Sequence, residues 1–165
     1  QDTLLTANQE SRQYYEECYI EGTTDFIFGP ATAWFERCHI HSKKNSYVTA
    51  ASTVENQESG YVFNRCRLTA ADGIERVYLG RPWRPFAATL FMRCELGNHI
   101  LPEGWHNWDN PSNEKSARYA EYRNTGPGAN PGTRVGWSRQ LSRKEAKWYT
   151  IENVFTRHDG WNPVR

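Results

Sequence analysis

Trp34-Phe35-Glu36-Arg37-Cys38-His39-Ile40 is one of four segments that align on a cysteine. The others are Tyr14-Tyr15-Glu16-Glu17-Cys18-Tyr19-Ile20, Val62-Phe63-Asn64-Arg65-Cys66-Arg67-Leu68 and Leu90-Phe91-Met92-Arg93-Cys94-Glu95-Leu96. Each carries an aromatic residue three positions before its cysteine and Ile or Leu two positions after it. The cysteines fall at 18, 38, 66 and 94, in steps of 20, 28 and 28 residues. Alternation around each cysteine puts apolar and polar side chains on opposite faces, the period of a strand rather than a helix. Between these segments lie further strand candidates at Asp2–Thr6, Asp25–Gly29, Ser46–Ala50 and Val77–Arg81. Short strands repeating every 20 to 30 residues without crossover helices define an all-β parallel solenoid, like residues stacking from coil to coil. An antiparallel sandwich competes, but its hairpin signals are weak: Asp72-Gly73 sits in a polar turn before Val77.

The cysteines themselves have three readings. Zinc fits poorly because no C-x-x-C pair is present. Cys66 and Cys94 read as buried ladder thiols. Cys18 and Cys38, one coil apart, are equally compatible with a disulfide, because spacing does not establish geometry. Beyond Cys94 the pattern changes. Asn107–Asn113 and Asn124–Gly128 read as loops, and Ser142-Arg143-Lys144-Glu145 has the form of a capping box. A short helix there is expected to cover the last coil, with Ile151, Val154 and Phe155 packed beneath it. The expected organisation is one domain over 1–165, with coils over 1–100 and loops and a C-terminal cap over 101–165.

At 165 residues the chain is long enough for a real core. A formal net charge of +1 argues against electrostatic capture of nucleic acid or an anionic membrane surface. No stretch approaches the roughly 20 apolar residues of a membrane span. Hydrophobic residues make up only 38% and mean hydropathy is −0.84, yet seven tryptophans are present. That combination suits flat rings on a sugar-binding groove, though tryptophan also serves core burial.

The chemistry-bearing residues are sparse. Asp25 abuts Phe26-Ile27-Phe28, an apolar run closed by Gly29-Pro30. Asp2 lies 23 residues upstream, about one coil, so stacking brings the two carboxylates together on one face. Two neighbouring carboxylates do not both ionise cheaply, which makes one a proton donor. Arg81, between Gly80 and Pro82 and close to Trp83, is placed to fork onto one of them. Aligning Asp25 with Val77 gives Arg81 the same strand parity as Asp25. Taken singly, each residue has an ordinary structural role: an Asp at a strand start is a turn former, and an Arg before Pro is a solvated edge residue.

Gln1-Asp2-Thr3-Leu4, Gly22-Thr23-Thr24-Asp25-Phe26-Ile27-Phe28-Gly29 and Leu79-Gly80-Arg81-Pro82-Trp83 resemble, in order, the signature blocks of the pectin methylesterase (pectinesterase) family. Ile100–Trp108 matches a fourth block, Tyr119–Ala129 the family's C-terminal loop, and Trp161-Asn162-Pro163 its closing segment. The texture of His41–Ala51 looks more like bacterial members than plant ones. The resemblance implies a right-handed parallel β-helix that hydrolyses methyl-galacturonate esters of pectin without metal or cofactor. It implies Asp25 as nucleophile, Arg81 as the group that keeps it ionised and aimed, and Asp2 as acid and then base. Gln1 would donate to the oxyanion, while Trp83 and Trp105, with Phe26, would line the sugar-binding surface. The family places another glutamine about one coil upstream of Gln1, and this chain starts after it, so a C-terminal fragment of a longer protein is expected. A secreted or periplasmic location and a monomer follow from the same resemblance.

Two alternatives remain at this point. A glycoside hydrolase needs a carboxylate pair flanking a glycosidic bond, and a pectate lyase needs a calcium-binding carboxylate cluster; Asp25 stands alone in its block. A non-catalytic carbohydrate-binding solenoid would keep Trp83 and Trp105 without needing the acid–base pair.

Overall fold

The structure is a computed structural model, and it describes residues 1–156 and 159–165. Among the described residues, fourteen short strands form three parallel sheets, visited in rotation by the chain. The first sheet holds β1 (Leu4–Leu5), β4 (Ile27–Gly29), β7 (Tyr47–Ala51) and β10 (Tyr78–Gly80). The second holds β2 (Arg12–Glu16), β5 (Thr32–Glu36), β8 (Tyr61–Asn64), β11 (Ala88–Met92), β13 (Arg118–Tyr122) and β14 (Arg139–Gln140). The third holds β3 (Tyr19–Gly22), β6 (His39–Ser42), β9 (Arg67–Ala70) and β12 (Glu95–Leu96). This is the parallel β-helix expected from the repeat. Its coils run past residue 100, because β13 and β14 extend the second sheet beyond that expected boundary.

The repeat sets the interior. Tyr15, Phe35, Phe63 and Phe91 stack with ring centroids 4.8, 4.4 and 4.3 Å apart and planes within 8° of parallel. Three of the four cysteine thiols donate to the carbonyl of the aromatic residue one coil below: Cys38 to Tyr15, Cys66 to Phe35 and Cys94 to Phe63. Asn124 takes the next rung, its Nδ2 donating to the Phe91 carbonyl and its Oδ1 accepting from the Cys94 amide. Cys38, Cys66 and Cys94 are buried, Cys18 is half-buried, and all four are free thiols. The residue before each rung adopts left-handed backbone: Glu17, Arg37, Arg65, Arg93 and Arg123 have φ between 49° and 56°. That conformation turns the chain from the second sheet into the third.

A second apolar cluster lies on the outer face of the second sheet, where Trp34, Val62, Leu90, Met92 and Tyr122 meet Ala146 and Phe155. The expected capping box is present, with Ser142 and Glu145 exchanging hydrogen bonds at the start of a short helix (Arg143–Ala146). The helix and the segment after it do not cover the last coil as expected. They cross the back of the sheet to β2, where Arg12 pairs with Asp159 and donates to the Phe155 carbonyl. The tail follows the apolar outward residues of β5, β8, β11 and β13, which need covering more than the end does.

Candidate active site

Register brings the carboxylates together. Leu4 pairs with Ile27, so Asp2 and Asp25, each two residues upstream, occupy the same place in successive coils. Asp25 donates its amide to the Tyr47 carbonyl at 2.9 Å, and Asp2 its amide to the Thr24 carbonyl at 3.3 Å. Both have left-handed backbone, with φ of 53° at Asp2 and 50° at Asp25, which aspartate tolerates better than most residues. The kink turns both side chains onto the outer face of the first sheet. There they line one cavity of about 340 Å³ with Gln1, Phe28, Ala50, Arg81, Trp83 and Trp108.

Arg81 forks onto Asp25, with Nε donating to Oδ1 at 2.9 Å and Nη2 to Oδ2 at 2.7 Å. Both carboxylate oxygens act as acceptors of a guanidinium, as the ionised form requires. The pair is largely shielded, with side chains 10% and 19% exposed, so solvent screens it little. The guanidinium lies between two rings, 4.0 Å from the Tyr47 centroid and 3.6 Å from that of Trp108. Tyr78 stacks on Tyr47, and His106 meets both edge-on. The Trp108 amide donates to His106 Nδ1 at 3.0 Å, which holds the tryptophan at a φ of 60° that bulky residues avoid. Gly80 is required at the end of β10: a Cβ there would lie 2.1 Å from Thr49 Oγ1. Its absence lets the strand close on β7 and delivers Arg81 to Asp25.

Of the expected site residues, Gln1, Asp2, Asp25, Arg81 and Trp83 are brought together. Two are not. Trp105 is 1% exposed and stacks on Tyr119 at 4.3 Å inside the helix, so it presents no face to a ligand. Phe26 is fully buried, folded over Gly22, where a Cβ would meet its own at 2.3 Å. Phe28 faces the groove instead, 6.0 Å from Trp83, and Ile27 is buried. The parity argument also needs correction: the pairings of β4 with β7 and β7 with β10 put Asp25 level with Tyr78, not Val77. Arg81 then has the opposite parity, and the fork forms because Asp25 sits at the left-handed kink rather than within a strand. Trp108 and Tyr47 are the additions. The odd spacing of Trp105 and Trp108 was a usable signal, since residues three apart in extended chain face opposite sides. Among the described residues, no three His, Cys, Asp or Glu side chains gather in a way that could hold a metal ion.

The parallel β-helix thus holds, on the floor of an aromatic-lined groove, an arginine-clamped aspartate with a second carboxylate one coil below. The pectinesterase profile matches residues 1–159, and the chain belongs to the pectinesterase family. It is 48% identical over 147 residues to pectinesterase 31 of Arabidopsis thaliana, covering 88% of this chain and 46% of that protein. A pectin methylesterase from carrot superposes with a TM-score of 0.83 at 33% identity, over 92% of this chain and 54% of that one. A pectin methylesterase in complex with a hexasaccharide superposes with a TM-score of 0.77 at 28% identity, over 96% of this chain and 53% of that one. The chain thus spans about half the length of these relatives. The high identity with a plant protein means that the His41–Ala51 texture does not separate bacterial from plant members.

Proposed function

We propose that the protein containing this chain hydrolyses methyl esters of galacturonate units in pectin. The observation that carries the reading is the bidentate Arg81 fork on a shielded Asp25, in a groove that also holds Asp2. One Asp25 oxygen attacks the ester carbonyl carbon, and the carbonyl electrons move to oxygen. Gln1, at the same cavity, donates a hydrogen bond to that oxyanion, an interaction worth on the order of a hundredfold in rate. The tetrahedral centre collapses and the methoxide leaves as methanol, taking its proton from Asp2. Asp2, now a carboxylate, takes a proton from water as the water attacks the acyl carbon of the covalent intermediate. The C–O bond to Asp25 breaks, releasing a free galacturonate carboxylate and restoring both aspartates. Each step uses this chain's own side chains and draws on no metal or cofactor.

Arg81 holds Asp25 in the direction of attack throughout, since a planar fork leaves the carboxylate little rotational freedom. Trp83, 39% exposed, and Phe28 offer the faces on which sugar rings stack. The hexasaccharide complex of a structural relative supports a groove that takes several sugars. Because the substrate is a cell-wall polymer, the protein acts outside the cytoplasm, as a secreted or periplasmic enzyme, and as a monomer. It has no nucleic-acid or membrane partner in this reading. The test is methanol release from highly methylated pectin by the complete protein. Asp25→Asn abolishes it while leaving the melting profile of a folded protein. Full activity in that variant removes Asp25 as nucleophile, and loss of activity on chelation overturns the metal-free route.

A further inference from the structure

The turn between the second and third sheets carries a row of arginines that the groove chemistry does not use. Glu17, Arg37, Arg65, Arg93 and Arg123 occupy the same left-handed position in five consecutive coils. Their amides tie the coils in register: Arg37 to the Asn64 carbonyl, Arg65 to that of Met92 and Arg93 to that of Tyr122, at 3.0, 3.1 and 2.8 Å. Rungs of a parallel sheet repeat about every 4.8 Å, so Arg37 to Arg123 spans about 14 Å. All four arginines are exposed. This backbone position favours Gly or Asn, yet four coils in succession place a long cation there.

The charges are not evenly satisfied. Arg37 is paired with Glu16, Glu17 and Glu36, and Arg65 reaches Glu36 at 3.6 Å. The buried Glu121 is taken by Arg134. Among the described residues, Arg93 and Arg123 have no carboxylate at salt-bridge distance. Arg93 instead donates to Asn64 Oδ1. Both guanidiniums lie over the Tyr122 ring, at 5.5 and 5.4 Å. The ladder therefore grades from acidic and neutralised at Glu17 to cationic at Arg123. Each coil passes from the first sheet to the second and then the third, so this turn lies on the side of the helix away from the groove face.

We propose that the Arg65–Arg93–Arg123 edge is a second polymer-binding surface, which holds the de-esterified, anionic galacturonan that the groove produces. The ligand's identity rests on the proposed reaction; the charge complementarity does not. A chain bearing one carboxylate per sugar offers a regular row of anions to a regular row of guanidiniums, and methylated pectin does not. Retention at this edge keeps the groove close to the next esterified stretch by raising its effective concentration.

The test compares the complete wild-type protein with Arg93→Asn/Arg123→Asn and Arg93→Lys/Arg123→Lys, by affinity electrophoresis through gels containing polygalacturonate or highly methylated pectin. Asparagine suits the left-handed backbone, so the first variant removes charge without straining the turn. The wild type is retarded by polygalacturonate, and retardation fades as salt rises. The asparagine variant binds about four- to twenty-five-fold more weakly, at about two- to fivefold per arginine. The lysine variant stays within about twofold. Methanol release from a short esterified oligomer is the same in all three. Equal polygalacturonate binding by the wild type and asparagine variant overturns the proposal, as does an equal loss on methylated pectin. Ladder-dependent retention in a protein that releases no methanol supports the edge while removing the esterase reading.

Discussion

Replacing Arg81 by lysine separates charge from geometry at the reaction centre. The wild-type guanidinium makes two charge-assisted hydrogen bonds to Asp25, at 2.9 and 2.7 Å, and is held between the Tyr47 and Trp108 rings. A lysine ammonium keeps the positive charge but reaches both oxygens poorly and loses the planar stack. A hydrogen bond to a charged group contributes about 1.5–3 kcal/mol, and a shielded cation–π contact about 0.5–2 kcal/mol. Losing one of the former and part of the latter weakens the hold on Asp25 by about 2–4 kcal/mol. Expressed wholly in the attack step, that is a fall of about 30- to 1000-fold in kcat. Folding suffers less, because the carboxylate still has a cation beside it. Arg81→Ala differs in kind: it leaves a shielded carboxylate without its cation and costs about 3–5 kcal/mol of stability. The assay is methanol release against substrate concentration, paired with thermal melts of the same preparations. The lysine variant should lose kcat with KM little changed and Tm within a few degrees. Activity within threefold of wild type would refute the claim that the fork, rather than the charge, directs Asp25.

The tryptophans divide cleanly. Trp83→Ala should raise KM severalfold with little change in Tm, whereas Trp105→Ala should cost about 3–5 kcal/mol of stability in urea titrations, as for other buried rings. A stable Trp105→Ala protein with a raised KM would put that ring back in the groove. A pH dependence follows from His99, which is 2% exposed with its Nε2 unpartnered. Burial, and then repulsion from His41, push its imidazole down to about 4 from an ordinary 6.5. Between those values the unfolded chain binds a proton that the folded chain does not. The stability is therefore intact above about pH 6.5 and is lost as pH falls toward 4, by up to about 3 kcal/mol. His99→Gln should flatten that slope in urea unfolding at pH 7, 5.5 and 4. A slope unchanged in the variant removes His99 as its source.

The coil architecture was legible because its cause is local and repeated. The aromatic at three before each cysteine and the aliphatic at two after it became stacked rings and a thiol–carbonyl ladder, residue for residue. The stacking of Asp2 on Asp25 was legible for the same reason, since 23 residues is one coil. The extent of the coils was not. The coil of β13 has Asn124, two residues past the strand, where the repeat led the eye to a cysteine, and an amide can make the same hydrogen bond to the carbonyl below as a thiol. The course of the tail was equally hidden, because its apolar residues match any uncovered apolar surface. Only the outward Trp34, Val62, Leu90 and Met92 show which surface that is.

Around Asp25 the division is sharpest. The sequence by itself determined that a carboxylate stands at the head of a buried strand, that another lies one coil away, and that a glycine-flanked arginine is within reach. Those conclusions depend on residue type and spacing, which a repeating fold converts directly into position. Which faces the neighbouring side chains present was decided by the tertiary structure. The left-handed kinks at Asp2 and Asp25 break the alternation on which strand parity depends, so Phe28 rather than Phe26 borders the groove and Arg81 reaches Asp25 from the opposite parity. Trp105 and Trp108 are sorted by a packing competition that their spacing only hints at. The ring that fits over Gly80 against Tyr119 is buried, and the one held out by His106 lies on the arginine.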